Sequence, residues 1–212
     1  VSRLCGLYAI TPEIPEATLP LAQQVELAIA GGARLIQYRD KTADIHKRLR
    51  EARSILAVCR AAAIPLIVND DLDLAAQIGA DGVHLGQEDA GPLEARRRLG
   101  DRAIIGVSCY DKLERAIHAQ QVGADYAAFG RFFSSTTKPM AVHATPELLR
   151  LARERLDIPL VAIGGITPEN GRSLIAAGAQ MLAAVEAVFG QQDIRAAAVA
   201  ISALSHDGDC DP

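Results

Sequence analysis

Ile64-Pro65-Leu66-Ile67-Val68-Asn69-Asp70-Asp71, followed after a helix-length stretch by Gly79-Ala80-Asp81-Gly82-Val83-His84-Leu85-Gly86, is where the fold can be read. Each half contains a short aliphatic strand. Proline stops the helix before the first strand, and Gly79 supplies a helix C-cap before the second. Both strands end in polar residues that folding alone does not require. The same entries recur along the chain. Ile158-Pro159-Leu160-Val161-Ala162 matches the first pentapeptide, and Gly32-Ala33, Gly123-Ala124 and Gly178-Ala179 match Gly79-Ala80.

Working outward, eight strands are expected, at about Cys5 to Ile10, Leu35 to Tyr38, Leu66 to Asn69, Gly82 to Leu85, Ile104 to Ser108, Tyr126 to Phe129, Leu160 to Ile163 and Met181 to Val185. The stretches between them carry apolar residues at helical spacing. Buried parallel strands alternating with amphipathic helices make a closed (β/α)8 barrel or an open doubly wound sheet. Eight evenly spaced units favour an α/β fold of the first kind, a single (β/α)8 TIM barrel with two-fold periodicity.

The 212 residues suit one barrel domain over 1–205, with the acidic ending His206-Asp207-Gly208-Asp209-Cys210-Asp211-Pro212 expected to be a disordered tail. Half of the residues are hydrophobic and few are aromatic, which suits a core of small aliphatic side chains, and no apolar run is long enough to span a bilayer. A formal net charge of -4 opposes broad nucleic-acid affinity, and Arg96-Arg97-Arg98 is read as the solvated last turn of the fourth helix. Cys5, Cys59, Cys109 and Cys210 show neither CxxC pairing nor metal-ligand spacing. Reduced thiols in a cytoplasmic protein without a signal peptide are therefore expected.

The chemistry lies after the strands. Gln37-Tyr38-Arg39-Asp40-Lys41 puts two cations and an amide at the barrel mouth. The fork of Arg39 and the point charge of Lys41 suit phosphate oxygens, with an ion pair to Asp40 as the alternative reading. Asn69-Asp70-Asp71 and Glu88-Asp89 bring carboxylates from adjacent strands to one rim. Asp70 and Asp89 are read as ligands of Mg2+, which takes a few carboxylates, retained waters and phosphate oxygens, with capping of the third and fourth helices as the alternative reading. Asp71 or Asp73 is read as a helix cap, and His84 as a hydrogen-bonded structural residue rather than a base.

Ser108 ends strand five, and strand six leads into Gly130-Arg131-Phe132-Phe133-Ser134-Ser135-Thr136-Thr137-Lys138, four hydroxyls followed by a cation. Strand seven ends Ile163-Gly164-Gly165-Ile166-Thr167-Pro168, where glycines let backbone N–H groups approach an anion. Barrels of this kind favour that position for phosphate. Two anion sites thus share one mouth, so two phosphorylated ligands would meet between them. A strong nucleophile with its base, a zinc-type cluster and a GxGxxG fingerprint are all missing, which removes most hydrolase and oxidoreductase readings. Departure of pyrophosphate fits what remains.

Gln37-Tyr38-Arg39-Asp40-Lys41, Val68-Asn69-Asp70, Ala80-Asp81-Gly82-Val83-His84-Leu85-Gly86-Gln87-Glu88-Asp89, Ile105-Gly106-Val107-Ser108, Thr137-Lys138 and Ala162-Ile163-Gly164-Gly165-Ile166 together resemble the thiamine phosphate synthase family, also called thiamine-phosphate pyrophosphorylase. The resemblance runs from strand one to strand eight. It implies an alkyl transferase that condenses 4-amino-2-methyl-5-hydroxymethylpyrimidine diphosphate with 4-methyl-5-(2-phosphoethyl)thiazole, giving thiamine phosphate and pyrophosphate. It further implies that Gln37, Tyr38, Arg39, Asp40, Lys41, Asn69, Ser108 and Lys138 hold the pyrimidine diphosphate, and that Asp70 and Asp89 hold Mg2+. Ser135, Thr136, Thr137, Gly165, Val185 and Glu186 would meet the thiazole phosphate. Arg39, Lys41, Ser108 and Lys138 would act on the departing pyrophosphate. The implied partners are two small phosphorylated substrates, neither nucleic acid nor membrane, with homo-oligomerisation left open.

Two departures stand at strand eight, where Gln180-Met181 replaces an Asp-Gly pair and Glu186 a later Ser. A carboxylate beside a phosphate is unfavourable unless it turns away and leaves only its backbone N–H toward the ligand. Ser134-Ser135 replaces a Pro-Thr pair and keeps a hydroxyl at 135. One alternative is the related thiazole tautomerase, which resembles the synthase in fold but depends on a histidine directly after the strand-six glycine, where this chain has Arg131. The other, kept open by Glu186, is a non-catalytic sensor of thiamine-pathway phosphates.

Overall fold

The structure, a computed structural model, describes residues 4–13, 19–133 and 144–205. Eight parallel strands, β1 (Gly6–Ile10), β2 (Ala33–Tyr38), β3 (Leu66–Asn69), β4 (Gly82–Leu85), β5 (Ile104–Tyr110), β6 (Tyr126–Phe129), β7 (Leu160–Ile163) and β8 (Met181–Ala184), pair in chain order. β1 also pairs with β8, so the sheet closes and the open doubly wound alternative is excluded. Among the described residues the helices are α1 (Leu21–Ala30), α2 (Ile45–Ala61), α3 (Leu72–Ile78), α4 (Pro92–Leu99), α5 (Leu113–Gln121), α6 (Pro146–Arg155), α7 (Gly171–Ala176), α8 (Glu186–Phe189) and α9 (Ile194–Ser202). Arg96, Arg97 and Arg98 occupy the last turn of α4, as expected. The expected tail at 206–212 lies outside the described residues.

Strand alternation sorts the core into two layers. Leu35, Ile67, Ile104, Val161 and Met181 point into the barrel with Tyr8, Tyr126 and Ala183. Their strand neighbours Ile36, Leu66, Leu160 and Leu182 face the helices and pack with Val25, Ile55, Leu149 and Leu174. Period-two alternation in a closed sheet makes this division unavoidable.

The repeated strand entries have a physical basis at the N-terminal rim. Gly32, Gly79, Gly123 and Gly178 have φ of 102°, 67°, 90° and 112°, a region that disfavours side chains, so each helix end turns tightly into its strand. Two residues later, Asp81 Oδ2 accepts the Leu66 N–H at 2.8 Å and Asp125 Oδ2 the Ile105 N–H at 2.7 Å. Gln180 Oε1 accepts the Leu160 N–H at 2.8 Å. Each even-numbered strand from β4 therefore pins the start of the preceding odd one. Gln180 reproduces with an amide what the two aspartates do elsewhere, at the rim opposite the mouth.

The cysteines need one correction. Cys59 and Cys109 are free and buried, and burial pushes both thiols up to about 12, so they are unreactive. Cys5 is disulfide-bonded, against the expectation of four reduced thiols. Spacing along the chain does not reveal this pairing, because a disulfide depends on proximity in the fold. Among the described residues no helix is long and apolar enough to cross a membrane.

Candidate active site

The C-terminal ends of the strands form the mouth. Register sets which side chains face it: Gln37 stands opposite Ile10, Asn69 opposite His84, and Ser108 opposite Ala128. All six positions belong to the inward-facing set, so Gln37, Asn69, His84 and Ser108 form a polar tier above the aliphatic floor.

Thr11, just after β1, accepts the Arg39 N–H on Oγ1 at 2.9 Å and holds the loop after β2. Glu13 accepts both Arg39 Nη1 at 2.9 Å and the Lys41 N–H at 3.1 Å. Lys41 Nζ meets Asp70 Oδ2 at 2.8 Å. Neither cation pairs with Asp40, the partner that the alternative reading supplied.

Asp40 instead faces α2. Lys47 Nζ donates to its Oδ2 at 2.5 Å and the Thr42 N–H to its Oδ1 at 2.7 Å. Burial alone would raise this carboxyl, but those bonds outweigh it and hold it below the usual range. Tyr38 also points outward, its Oη donating to Glu51 Oε2 at 2.9 Å. The side chains of Tyr38 and Asp40, both expected at the diphosphate, thus face α2 rather than the mouth. Alternation turns Tyr38 outward, and the ammonium of Lys47 draws Asp40 back.

Asp70 has φ of 62°, a conformation that few residues other than Gly adopt and Asp tolerates, and its N–H donates to the His84 carbonyl at 2.9 Å. Its side chain lies within hydrogen-bonding reach of Asp89. Burial raises both carboxyls; Lys41 brings Asp70 below the usual range, whereas Asp70 itself pushes Asp89 further up against the opposing bond from Gly86. That Gly86 N–H reaches Asp89 Oδ2 at 2.6 Å. Asp71 is the N-cap of α3, accepting from the Leu74 N–H at 2.8 Å, and it pairs with Arg48; Asp73 pairs with Arg98. The separation of helix-capping from mouth-facing aspartates holds in the structure.

His84 is buried, and desolvation lowers it to about 4 against a small opposing pull from Asp70, so the ring is neutral near pH 7. Its Nδ1 meets Tyr126 Oη at 2.9 Å and its Nε2 meets Ser108 Oγ at 2.8 Å. The ring stacks on Tyr126 at 5.6 Å between centroids. A Cβ at Gly106 would overlap the Tyr126 phenol, so only glycine at that position admits the stack. Arg115 locks the backbone here, Nε donating to the Ser108 carbonyl at 2.7 Å and Nη2 to the Gly86 carbonyl at 3.1 Å.

On the far side, Gly164 and Gly165 have φ of 105° and 66°, and Asn170 Nδ2 donates to the Gly165 carbonyl at 2.9 Å. Arg131 packs against Gly164. Val185 precedes α8, and Glu186 begins it. The Glu186 carboxylate lies over Gly190, where a Cβ would overlap its Oε1, so it bends along its own helix. Ser135, Thr136, Thr137 and Lys138 lie outside the described residues.

Sequence reasoning missed Glu13, Thr11, Tyr8, Tyr126 and Arg115. The two tyrosines carried a signal, a hydroxyl at an inward position of an otherwise aliphatic strand. Glu13 and Arg115 acquire partners only when the strands close.

Comparison with known proteins gives consistent results. Residues 7–188 match the family described as thiamine monophosphate synthase. The chain is 53% identical to thiamine-phosphate synthase of Nitrosococcus oceani over 94% of this chain and 92% of that one. It is 53% identical to the Methylococcus capsulatus protein of the same name, over 95% and 89%. Among solved structures, thiamine phosphate pyrophosphorylase from Pyrococcus furiosus superposes with a TM-score of 0.83 at 33% identity, covering 94% of this chain and 95% of that one. Barrel topology and sequence identity over nearly the full length agree, and the chain belongs to the thiamine monophosphate synthase family.

Proposed function

We propose that this protein is a thiamine phosphate synthase, joining hydroxymethylpyrimidine diphosphate to thiazole phosphate with release of pyrophosphate. The observation that carries the reading is the convergence of Lys41, Asp70 and Asp89 on the rim that also holds Arg39, Asn69 and Ser108.

Mg2+ fits this rim. Two carboxylates in mutual contact, one held below and one above the usual range, form a donor set whose repulsion a divalent cation relieves. Mg2+ takes few protein ligands and completes its shell with water and phosphate oxygens. Asp70 and Asp89 would hold it, and its contribution when bound is to neutralise charge on the diphosphate.

The bond between the pyrimidine methylene carbon and the diphosphate oxygen breaks, and its electron pair leaves with pyrophosphate. The thiazole nitrogen lone pair forms the new C–N bond. No general base is required. Arg39 and Lys41, with Lys138, stabilise the charge that accumulates on the leaving oxygens, and Ser108 donates to them. Gly165, Val185 and Glu186 offer the thiazole phosphate their backbone, with Ser135, Thr136 and Thr137 completing its site. With its carboxylate over Gly190, Glu186 gives the sensor alternative no support. Arg131, in the position of the tautomerase histidine, gives none to the tautomerase. Because both substrates are multiply charged phosphate esters that do not cross membranes unaided, we place the reaction in the cytoplasm.

Thiamine phosphate formation from the two substrates, read by oxidation to its fluorescent product with Mg2+ and with EDTA, tests this function. Metal-dependent product is expected. Folded protein that binds either substrate but forms no product would overturn it.

A further inference from the structure

A continuous row of side chains crosses the barrel interior beneath the mouth. Gln37 Nε2 donates to Tyr8 Oη at 2.6 Å, Tyr8 Oη meets Tyr126 Oη at 2.8 Å, and Tyr126 Oη meets His84 Nδ1 at 2.9 Å. His84 Nε2 then meets Ser108 Oγ at 2.8 Å. Tyr8, Gln37 and Tyr126 are at most 2% exposed, so water does not intervene along the row.

Each link holds one proton, and the buried Tyr8 and Tyr126 hydroxyls have no other bonding partner among the described residues, so for each to place its own proton the links must all point the same way. The amide nitrogen of Gln37 is a donor only, which obliges Tyr8 to donate to Tyr126, Tyr126 to donate to His84 Nδ1, and His84 Nε2–H to donate to Ser108. Ser108 then has its own proton left to give away at the mouth. Turning the amide of Gln37 over would reverse every link and consume that proton inside the barrel.

We propose that Gln37, Tyr8, Tyr126 and His84 are a positioning row that fixes Ser108 as a hydrogen-bond donor to the diphosphate and couples that contact to the amide orientation of Gln37. The proposal rests on the function proposed above. A diphosphate is an acceptor only, so it binds the orientation in which the Gln37 amide nitrogen faces Tyr8 and the Gln37 carbonyl oxygen faces elsewhere. Hydroxyl donation to leaving oxygens and amide orientation on another wall of the barrel are thereby read together, through two phenols that are at most 1% exposed.

Tyr8→Phe is the decisive variant. It keeps the ring and its edge-on packing against Tyr126 at 5.8 Å, and removes only the hydroxyl that links Gln37 to the rest. Inorganic pyrophosphate with Mg2+, titrated calorimetrically into the full chain, is the probe. Ser108→Ala is expected to weaken it about tenfold and Tyr8→Phe about fivefold. The double variant should bind no more weakly than Ser108→Ala alone. Tyr126→Phe should behave as Tyr8→Phe does, and serves if that variant folds poorly. Equal weakening by Tyr8→Phe with and without the Ser108 hydroxyl would overturn the proposal, as would unchanged binding in Tyr8→Phe. If the unaltered protein neither binds pyrophosphate nor forms thiamine phosphate, the proposed function itself fails; an active protein with additive variants would sink the row alone.

Discussion

At the N-terminal rim, Asp81, Asp125 and Gln180 each accept an N–H from the first or second residue of a neighbouring strand; at the C-terminal rim, Asp70 and Asp89 lean on one another, on Lys41 and on Gly86. Side chains of one type thus do different work at the two ends. Those below have backbone partners that never leave, so their contribution is to stability. Those above are held by an ammonium half exposed to solvent and by mutual contact, an arrangement that the proposed diphosphate and cation would replace. The same division explains why Gln180 is harmless: an amide oxygen accepts an N–H as a carboxylate does, and nothing at that end requires charge.

The sharpest way to test this division is to remove one acidic residue from each end. Asp70→Ala should lower kcat/KM by a few hundredfold, about 3 to 4 kcal/mol in the transition state, while the melting temperature barely moves. A large loss of melting temperature would show that Asp70 belongs with the structural carboxylates. The polar tier beneath the mouth gives the next largest effect, through pH. His84 is depressed to about 4 in the folded protein against about 6.5 unfolded, so the unfolded chain takes up a proton first as pH falls. Its contribution is complete above pH 6.5 and is lost progressively down to pH 4, on the order of 3 kcal/mol. Denaturant unfolding across that window should show a steeper loss for the native sequence than for His84→Gln; parallel curves would mean that the ring is not held neutral.

Asp125→Ala, at the lower rim, leaves the Ile105 N–H and Arg96 short of a partner and should cost about 2 kcal/mol of stability with kcat unchanged. Reduced kcat at full stability would break the comparison from the other side. Smallest is Glu186→Ser: with the carboxylate over Gly190, KM for thiazole phosphate should change by less than about twofold, roughly 0.4 kcal/mol. A clear tightening would mean that the carboxylate swings toward the phosphate.

Much of this division was legible in the residues. The Gly-Ala entries and the two Ile-Pro pentapeptides marked strand starts, because tight turns and helix stops have few chemical solutions. Arg39, Lys41, Asp70 and Asp89 stood out because they gather opposite charges just after neighbouring strands, where a barrel opens its mouth. The outward turn of the Tyr38 and Asp40 side chains was not legible, because side-chain direction alternates within a strand and its loop, so nearness in sequence to Arg39 says little about what a side chain meets. The Cys5 disulfide escaped for a related reason, since pairing across the fold leaves no trace in spacing.

By itself the sequence determined the alternation of strands and helices, their order, the apolar floor and the types of group available at the mouth, all of which follow from local periodicity and residue chemistry. Closure of the sheet decided the rest. Only when β8 meets β1 do Tyr8 and Tyr126, from separate walls, come within 3 Å, so that Gln37, Tyr8, Tyr126, His84 and Ser108 become one row. Hydrogen bonds and charge pairs act over a few ångströms, and that distance is set by register and curvature rather than by position along the chain.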